Sequence, residues 1–292
     1  MPDEFAFLTA LRAIATHPAA AGLADDTAQL DVTAGRLILT TDTLVAGVHY
    51  RPHDPADSIG WKLAAVNLSD LAAKGATPLG CLLNYALSGD ADWDAAFLSG
   101  LNDALTRYAM PLLGGDTVAM PPGSARSFTL TAIGTAQDRT PLRTGAKPGD
   151  TLWVTGSIGG AGFGADGEPR DLARYLRPTP RLADGQAIAP LATAMMDVSD
   201  GLLIDAERIA KASNVAIDLD LDAIPLAIPH MDLIEAATAG DDYELLFTLP
   251  AGTTPPVAAT CIGTAANGSG LTLHRNGTPV PLPDRLGYRH GT

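Results

Sequence analysis

Apolar residues recur at two different periods along the chain, and the switches between them mark out its elements. Over residues 3–17, Phe5, Leu8, Leu11 and Ile14 fall at near-helical spacing and predict a short amphipathic helix. Arg36-Leu37-Ile38-Leu39-Thr40 predicts a strand that runs into Thr41-Asp42-Thr43, placing an acid where the strand should end. Asp57-Ser58 carry a helix-start signal, and apolar Trp61, Leu63, Val66 and Leu68 continue the pattern to a stop at Gly75. On that helix Asn67, Asp70 and Lys74 lie three and four residues apart and should share one face. A second helix is expected over about 93–108, followed by Met110-Pro111-Leu112-Leu113 and Gly114-Gly115-Asp116-Thr117, again an apolar run closed by an acid. Residues 127–133 alternate like a half-buried strand.

The stretch 137–150, with its arginines, Pro141, Pro148 and Gly149, reads as a linker. Beyond it, Thr151-Leu152-Trp153-Val154-Thr155 predicts a strand feeding a glycine-rich loop at 156–167. Ala194-Met195-Met196 leads into Asp197-Val198-Ser199-Asp200-Gly201-Leu202, where Ser199 is expected to cap a helix running to about Ser213. Residues 215–221 and 243–249 read as further strands. Strands and helices mix on both sides of the linker, so the fold class is α/β (or α+β), with two mixed-sheet domains at 1–137 and 138–292. Asn67-Leu68-Ser69-Asp70-Leu71 echoes Asp197-Val198-Ser199-Asp200-Gly201-Leu202, one in each half, but the echo is too short to establish a repeat.

Composition narrows the function classes. The 292 residues are 46% hydrophobic and 18% charged, enough to bury a core in each of two domains. Lysine plus arginine number 19 against 33 aspartates plus glutamates, a formal net charge of -14. That balance argues against a nucleic-acid binder, which needs a basic face, and against polybasic membrane docking. No apolar run reaches the roughly 20 residues of a membrane span, and the acidic start lacks the basic region of a signal peptide. Cys81 and Cys261 are too few for a disulfide framework and have no metal-ligand spacing. The expectation is a soluble, cytoplasmic protein with neither nucleic acid nor membrane as partner.

The candidate chemistry lies in the aspartates. Asp26, Asp42, Asp70, Asp116, Asp197 and Asp200 sit at expected element ends or on a helix face, in segments rich in Gly, Ser and Thr. Together they resemble a set of oxygen ligands for hard cations such as magnesium; singly, each is also explained as an ordinary solvated cap. Like unit charges about 4 Å apart repel by roughly 4 kcal/mol at an effective dielectric near 20. An acidic cleft that handles a polyphosphate therefore needs divalent ions between the two. There is no Gly-x-x-x-x-Gly-Lys-Ser/Thr loop, and Gly162-Phe163-Gly164-Ala165-Asp166-Gly167 matches the dinucleotide pattern in the wrong context, well past its strand and before Glu168-Pro169. His49 is either an anion contact or a structural histidine, and Arg143 and Lys147 either neutralise phosphate or are solvated.

Eight segments in order resemble the thiamine-monophosphate kinase family, of the superfamily that includes aminoimidazole ribonucleotide synthetase, selenophosphate synthetase and a hydrogenase-maturation ATPase. They are Thr41-Asp42-Thr43-Leu44-Val45-Ala46-Gly47-Val48-His49, residues 62–73 around Asn67-Leu68-Ser69-Asp70, Gly114-Gly115-Asp116-Thr117 and residues 143–150. Val154-Thr155-Gly156, Arg177-Pro178-Thr179-Pro180-Arg181, Asp197-Val198-Ser199-Asp200-Gly201-Leu202 and Asp241-Asp242-Tyr243-Glu244-Leu245 complete the series, with a fainter match at Gly287-Tyr288-Arg289-His290. The resemblance implies phosphorylation of thiamine monophosphate to the diphosphate, using ATP as co-substrate and several Mg²⁺ ions, with a potassium requirement left open. It implies a homodimer paired through the N-terminal domains, an acidic ATP-binding cleft, and a C-terminal domain that completes the site. By the same resemblance Asp26, Thr40, Thr41, Asp42, Asp70, Asp116, Asp197 and Asp200 are magnesium ligands, with Asp42, Asp70, Asp116 and Asp197 at the catalytic centre. Tyr108, Gly115, Asp116, Arg143 and Ser199 contact ATP, while His49, Asp241 and Tyr288 face the thiamine phosphate.

Three features depart from the family pattern. Gly22-Leu23-Ala24-Asp25-Asp26 stands where Gly-Ile-Gly-Asp-Asp is usual, Asp241 stands in place of a glutamate, and the second domain is shorter after its glycine loop. Within the superfamily, aminoimidazole ribonucleotide synthetase is the alternative. Selenophosphate synthetase would carry a reactive cysteine near its start, which residues 1–80 lack, and the hydrogenase-maturation relative a cysteine-bearing tail where this sequence has His290-Gly291-Thr292. A non-catalytic acidic module would space its ligands within about 12 residues, whereas these are scattered from 26 to 200.

Overall fold

A computed structural model describes residues 4–23, 30, 35–121, 123–136 and 139–289. The chain divides into two compact units, one of Met1–Leu71 with Thr77–Gln137 and the other of Ala72–Ala76 with Asp138–Thr292.

The first unit contains α1 (Glu4–Ile14), a 3-10 segment at Pro18–Leu23, β1 (Arg36–Val45), α2 (Ala56–Ala72), β2 (Thr77–Leu87), α3 (Ala91–Arg107), β3 (Leu112–Ala119) and β4 (Ser127–Ala136). Its sheet has the order β1-β4-β2-β3, with β4 antiparallel to both neighbours and β2 parallel to β3. Register runs Asp42–Leu130–Leu83–Gly115 in one row and Thr43–Thr129–Asn84–Asp116 in the next. Alternate rows point to opposite faces. One face buries Leu44, Phe128, Leu130, Leu83 and Tyr85, and Tyr85 stacks on Phe7 of α1 at 4.3 Å and lies 5.0 Å from Phe97 of α3. The other face leaves Leu37, Leu39 and Leu82 exposed among threonines, Leu39 at 65%.

The second unit contains β5 (Thr151–Thr155), α4 (Leu172–Leu176), α5 (Leu182–Ile188), β6 (Ala194–Asp197), α6 (Leu202–Ser213) and β7 (Ala216–Asp220). These are followed by α7 (Leu233–Thr238), β8 (Leu245–Leu249), β9 (Ala259–Ala266), β10 (Gly270–Arg275) and β11 (Thr278–Val280). The sheet order is β11-β10-β7-β9-β5-β8-β6. Helix α6 covers one face, packing Leu202, Leu203 and Ile209 with Ile217, Leu219, Leu246, Ile262 and Leu273. Met195, Phe247 and Leu249 fill the other face against Ile188, Ala189, Ala72 and Ala73. With both faces covered, all five residues of β8 are buried.

Several local expectations change. The first strand does not stop at Thr40 but continues through Asp42 to Val45, because Leu44 supplies the next buried position. Helix α2 ends at Ala72, so Lys74 leaves the face shared by Asn67 and Asp70 and donates instead to the Met195 carbonyl at 3.2 Å. Ser199 does not cap α6. Gly201, at φ 126, occupies the cap position without a side-chain bond. The last expected strand begins at Leu245, since Tyr243 has φ 51, outside the extended region. Strands β2, β9, β10 and β11 were not signalled by the apolar pattern. Among the described residues no helix is long and apolar enough to cross a membrane.

Candidate active site

In the first unit β1 and α2 bring two of the expected acids together. The Thr40 hydroxyl donates to Asp70 Oδ2, and the Asp42 backbone N–H donates to Asn67 Oδ1 at 3.1 Å. Asn67 is itself fixed, since its amide donates to the Leu63 carbonyl one turn back at 2.9 Å. Side chains three apart on α2 thus hold the strand segment that carries Thr40 and Asp42. Asp42, Asp70 and Thr40 offer only oxygen, the donor chemistry of a hard cation, and magnesium commonly takes one or two carboxylates plus water and substrate phosphates. The residues therefore fit that ion.

Asp116 does not join this pair. It lies on β3, at the far edge of the sheet from β1, exposed, with its Oδ1 accepting the Thr117 N–H at 2.9 Å. Three strand spacings of about 4.8 Å put it roughly 14 Å from Asp42 across the sheet. Gly115 beside it has φ 152, and a Cβ there would overlap the Leu83 carbonyl, so β3 can run this close to β2 only with glycine at that position. Among the described residues no three His, Cys, Asp or Glu side chains gather as a metal site. Asp25 and Asp26 lie outside the described residues.

The turn after β1 fixes His49. Its Nδ1 accepts the Val45 N–H at 3.0 Å, so a neutral ring carries its proton on Nε2 and presents a donor there. Buried Lys62 donates from Nζ to the His49 carbonyl at 3.1 Å. Tyr108 caps α3 with its ring edge-on to Trp61 at 6.1 Å and the Arg107 guanidinium 5.7 Å from its centroid. The Tyr108 hydroxyl is buried and has no hydrogen-bond partner among the described residues. Such a group is satisfied at little cost by a polar ligand atom.

In the second unit Asp197 is the buried last residue of β6, paired with Leu245. The loop after it is held from below by Asp205, whose Oδ2 accepts the N–H groups of Ser199 at 3.1 Å and Asp200 at 3.2 Å. Burial pushes the Asp205 carboxyl up to about 6, against the opposing pull of Arg208. Asp241 and Tyr288 are drawn to the same loop, the Asp241 N–H donating to the Ser199 carbonyl and the Tyr288 N–H to the Asp200 carbonyl, each at 2.8 Å. Ser199, Asp200, Asp241 and Tyr288 therefore form one backbone-linked group. Arg143 is exposed, on a segment pinned by Ser213, whose hydroxyl donates to the Arg143 carbonyl at 3.0 Å and accepts the Gly145 and Ala146 N–H groups. Thr41 donates to the Leu130 carbonyl at 3.2 Å.

Buried Asp205, Asp242 and Glu244, to which the sequence pattern assigns no role, also shape this region. Glu244 accepts from Arg181 through two nitrogens at 2.7 Å, from Arg174 at 3.2 Å and from the Thr155 hydroxyl at 2.7 Å. A Cβ on Gly156 would overlap its carboxylate. The segments around 154–156, 177–181 and 241–245 are thus one ionic node. An acid embedded in the apolar run Tyr243-Glu244-Leu245-Leu246-Phe247 was the available signal, because a buried charge requires partners.

The family model described as AIR synthase related protein, N-terminal domain, matches residues 24–136, and that of the C-terminal domain matches 147–272. The thiamine-monophosphate kinase of Escherichia coli strain K12 is 40% identical over 302 residues, covering 92% of this chain and 91% of the relative. That of Caulobacter vibrioides is 36% identical over 324 residues, covering 99% and 91%. Among solved structures, the thiamine-monophosphate kinase of Stenotrophomonas maltophilia K279a superposes with a TM-score of 0.77 at 35% identity, covering 88% of this chain and 91% of that one. AaThiL complexed with AMPPCP and TMP superposes at 0.76 with 28% identity, covering 98% and 97%. With both halves matched in order and identity sustained over nearly the whole length, the chain belongs to the thiamine-monophosphate kinase family.

Proposed function

We infer that this protein transfers the γ-phosphoryl group of ATP to the phosphate of thiamine monophosphate, giving thiamine diphosphate and ADP. The observation that carries the reading is the tie of β1 to α2, Thr40 to Asp70 and the Asp42 N–H to Asn67, in a chain whose relatives are thiamine-monophosphate kinases. A related structure with an ATP analogue and TMP bound together supports the same pair of substrates.

A phosphate oxygen of thiamine monophosphate is already ionised, so the attack needs no strong base. That oxygen bonds to the γ-phosphorus as the bond to the β,γ-bridging oxygen breaks, and ADP leaves with the electron pair. Catalysis of this kind is mostly positioning and charge neutralisation. Magnesium held by Asp42, Asp70 and Thr40 would supply that neutralisation. Thr41, Asp197, Asp200 and Asp26 are assigned as further ligands by family resemblance. His49 offers Nε2–H to a substrate oxygen, Asp241 and Tyr288 face the thiamine end, and Tyr108, Gly115, Asp116, Arg143 and Ser199 serve ATP.

The working form is a homodimer paired on the first unit's sheet. Its uncovered face, with Leu37, Leu39 and Leu82 exposed, is the surface a second copy would bury. Pairing also answers the separation of Asp42 from Asp116, because each can then serve a site with the other acid drawn from the partner. Use of ATP favours the cytoplasm as the compartment. Incubation with ATP, Mg²⁺ and thiamine monophosphate tests the reading: thiamine diphosphate should accumulate in step with ADP. ADP and free phosphate without the diphosphate would favour a sibling synthetase.

A further inference from the structure

We propose that Asp242 is the positioning residue for the thiamine-phosphate end of the site, fixing the neighbouring Asp241 and the glycine-rich loop around Gly159 and Gly160 in one relation. The inference rests on the reading above, in which Asp241 faces the substrate.

The Asp242 side chain is buried, and both of its oxygens are committed to successive backbone donors. Oδ2 accepts the Gly159 N–H at 2.8 Å and Oδ1 the Gly160 N–H at 3.1 Å. The residues on either side are bent in the left-handed sense, Asp241 at φ 65 and Tyr243 at φ 51. A non-glycine residue in that region costs on the order of 1 kcal/mol or more and persists only where its surroundings hold it. Here the Asp241 N–H is tied to the Ser199 carbonyl and the Tyr243 N–H to the Val198 carbonyl, both at 2.8 Å. Between these two anchors the Asp242 carboxylate is the tie to the loop, which is itself secured by the Asp171 N–H on the Gly160 carbonyl at 2.9 Å. The Tyr243 hydroxyl donates to Asp241 Oδ1 at 3.0 Å and sets the direction of that carboxylate.

Two adjacent N–H groups need two acceptor oxygens. Asparagine supplies one oxygen and an amide that meets a donor with a donor. The short Asp241 is consistent with the same design, since aspartate tolerates left-handed backbone better than longer side chains. Losing the tie should free the Asp241 segment, while Ser199 at the ATP end keeps its own bond to Asp205, so the substrate affinities separate.

Asp242→Asn and Tyr243→Phe are compared with the wild type in steady-state kinetics with each substrate varied. The expected result for Asp242→Asn is a KM for thiamine monophosphate raised about tenfold or more, the loss of one charged hydrogen bond. The KM for ATP and kcat at saturation should stay within about threefold. Tyr243→Phe should shift the same KM in the same direction by less. An unchanged KM for thiamine monophosphate in folded Asp242→Asn, or a joint shift of kcat and both KM values, overturns the proposal. If Asp242→Asn does not fold, Tyr243→Phe decides: a selective rise supports the proposal, and no selective rise overturns it. Wild-type protein that makes no thiamine diphosphate at all overturns the underlying reading and this inference with it.

Discussion

Asp42 and Asp116 sit on opposite edge strands of one four-stranded sheet, with β4 and β2 between them. Two oxygens on one magnesium ion lie only about 3–4 Å apart, given metal–oxygen distances near 2.1 Å. Separated by roughly 14 Å across three strand spacings, the two acids of a single chain cannot share an ion. A site built from one chain's Asp42 and a second copy's Asp116 predicts complementation. Asp42→Asn and Asp116→Asn proteins, each inactive, should regain roughly a quarter of wild-type activity when unfolded together and refolded as a mixture, as expected for one intact site in half of the dimers. No recovery in a mixture shown to contain heterodimers would place both acids in the same subunit's site.

The exposed sheet face gives a second expectation. Leu39 is 65% exposed, on the same face as Leu37 and Leu82. If a second copy covers it, Leu39→Glu buries a charge without a partner and should shift the protein from dimer to monomer in sedimentation analysis at micromolar concentration. A variant that sediments as the wild type does would move the interface elsewhere.

Gly115, assigned to ATP, also has a backbone reason to be glycine. With φ 152 and the Leu83 carbonyl where its Cβ would go, Gly115→Ala must push β3 away from β2. The expected cost is about 2 kcal/mol or more in urea unfolding. A loss below about 0.5 kcal/mol would mean that the strand pair yields easily.

Burial raises the Asp242 carboxyl to about 7, with the Gly159 and Gly160 N–H groups and Arg174 opposing and Glu244 reinforcing the shift. A carboxyl raised above its unfolded value near 3.9 binds its proton more tightly in the native state. Its contribution to stability is full below that value and declines as pH rises toward 7. Asp242→Asn lacks this decline, so the stability advantage of wild type over the variant should shrink by a few kcal/mol from pH 5 to 7, at about 1.4 kcal/mol per unit. Above pH 8 it should be flat. Urea midpoints at pH 5, 6, 7 and 8 measure it, and an advantage that grows with pH would reverse the sign.

What the sequence disclosed divides by range. Periodicity placed α1, α3, β4 and β5, because each alternates or repeats within its own window. It stopped β1 short of Asp42, since polar Thr41-Asp42-Thr43 hides the one core position at Leu44. β2 is nearly continuous in apolar residues and carries Pro78 and a register shift before Gly80, so it lacks the alternation that marks a strand. At the site, the link between Thr40 and Asp70 spans 30 residues, and that between Thr155 and Glu244 spans 89. No local window contains both partners. Ser199 shows the same limit: a serine before a helix reads as a cap, yet the carboxylate of Asp205, inside the helix, reaches back to the loop instead.

Asp42→Asn tests the charge proposed for the catalytic centre. The side chain keeps its size, and the strand is held through backbone N–H to Asn67, which the substitution leaves in place. Turnover should fall by about 10²-fold or more while the melting temperature moves by only a few degrees. Activity above about a tenth of wild type would remove Asp42 from the catalytic centre.

The most direct test follows the transferred group in a single turnover with γ-labelled ATP, Mg²⁺ and thiamine monophosphate. The label should pass to the terminal phosphate of thiamine diphosphate at the rate ATP disappears, with none on the protein. Label recovered as inorganic phosphate, or covalently on the chain before any diphosphate forms, would contradict direct transfer.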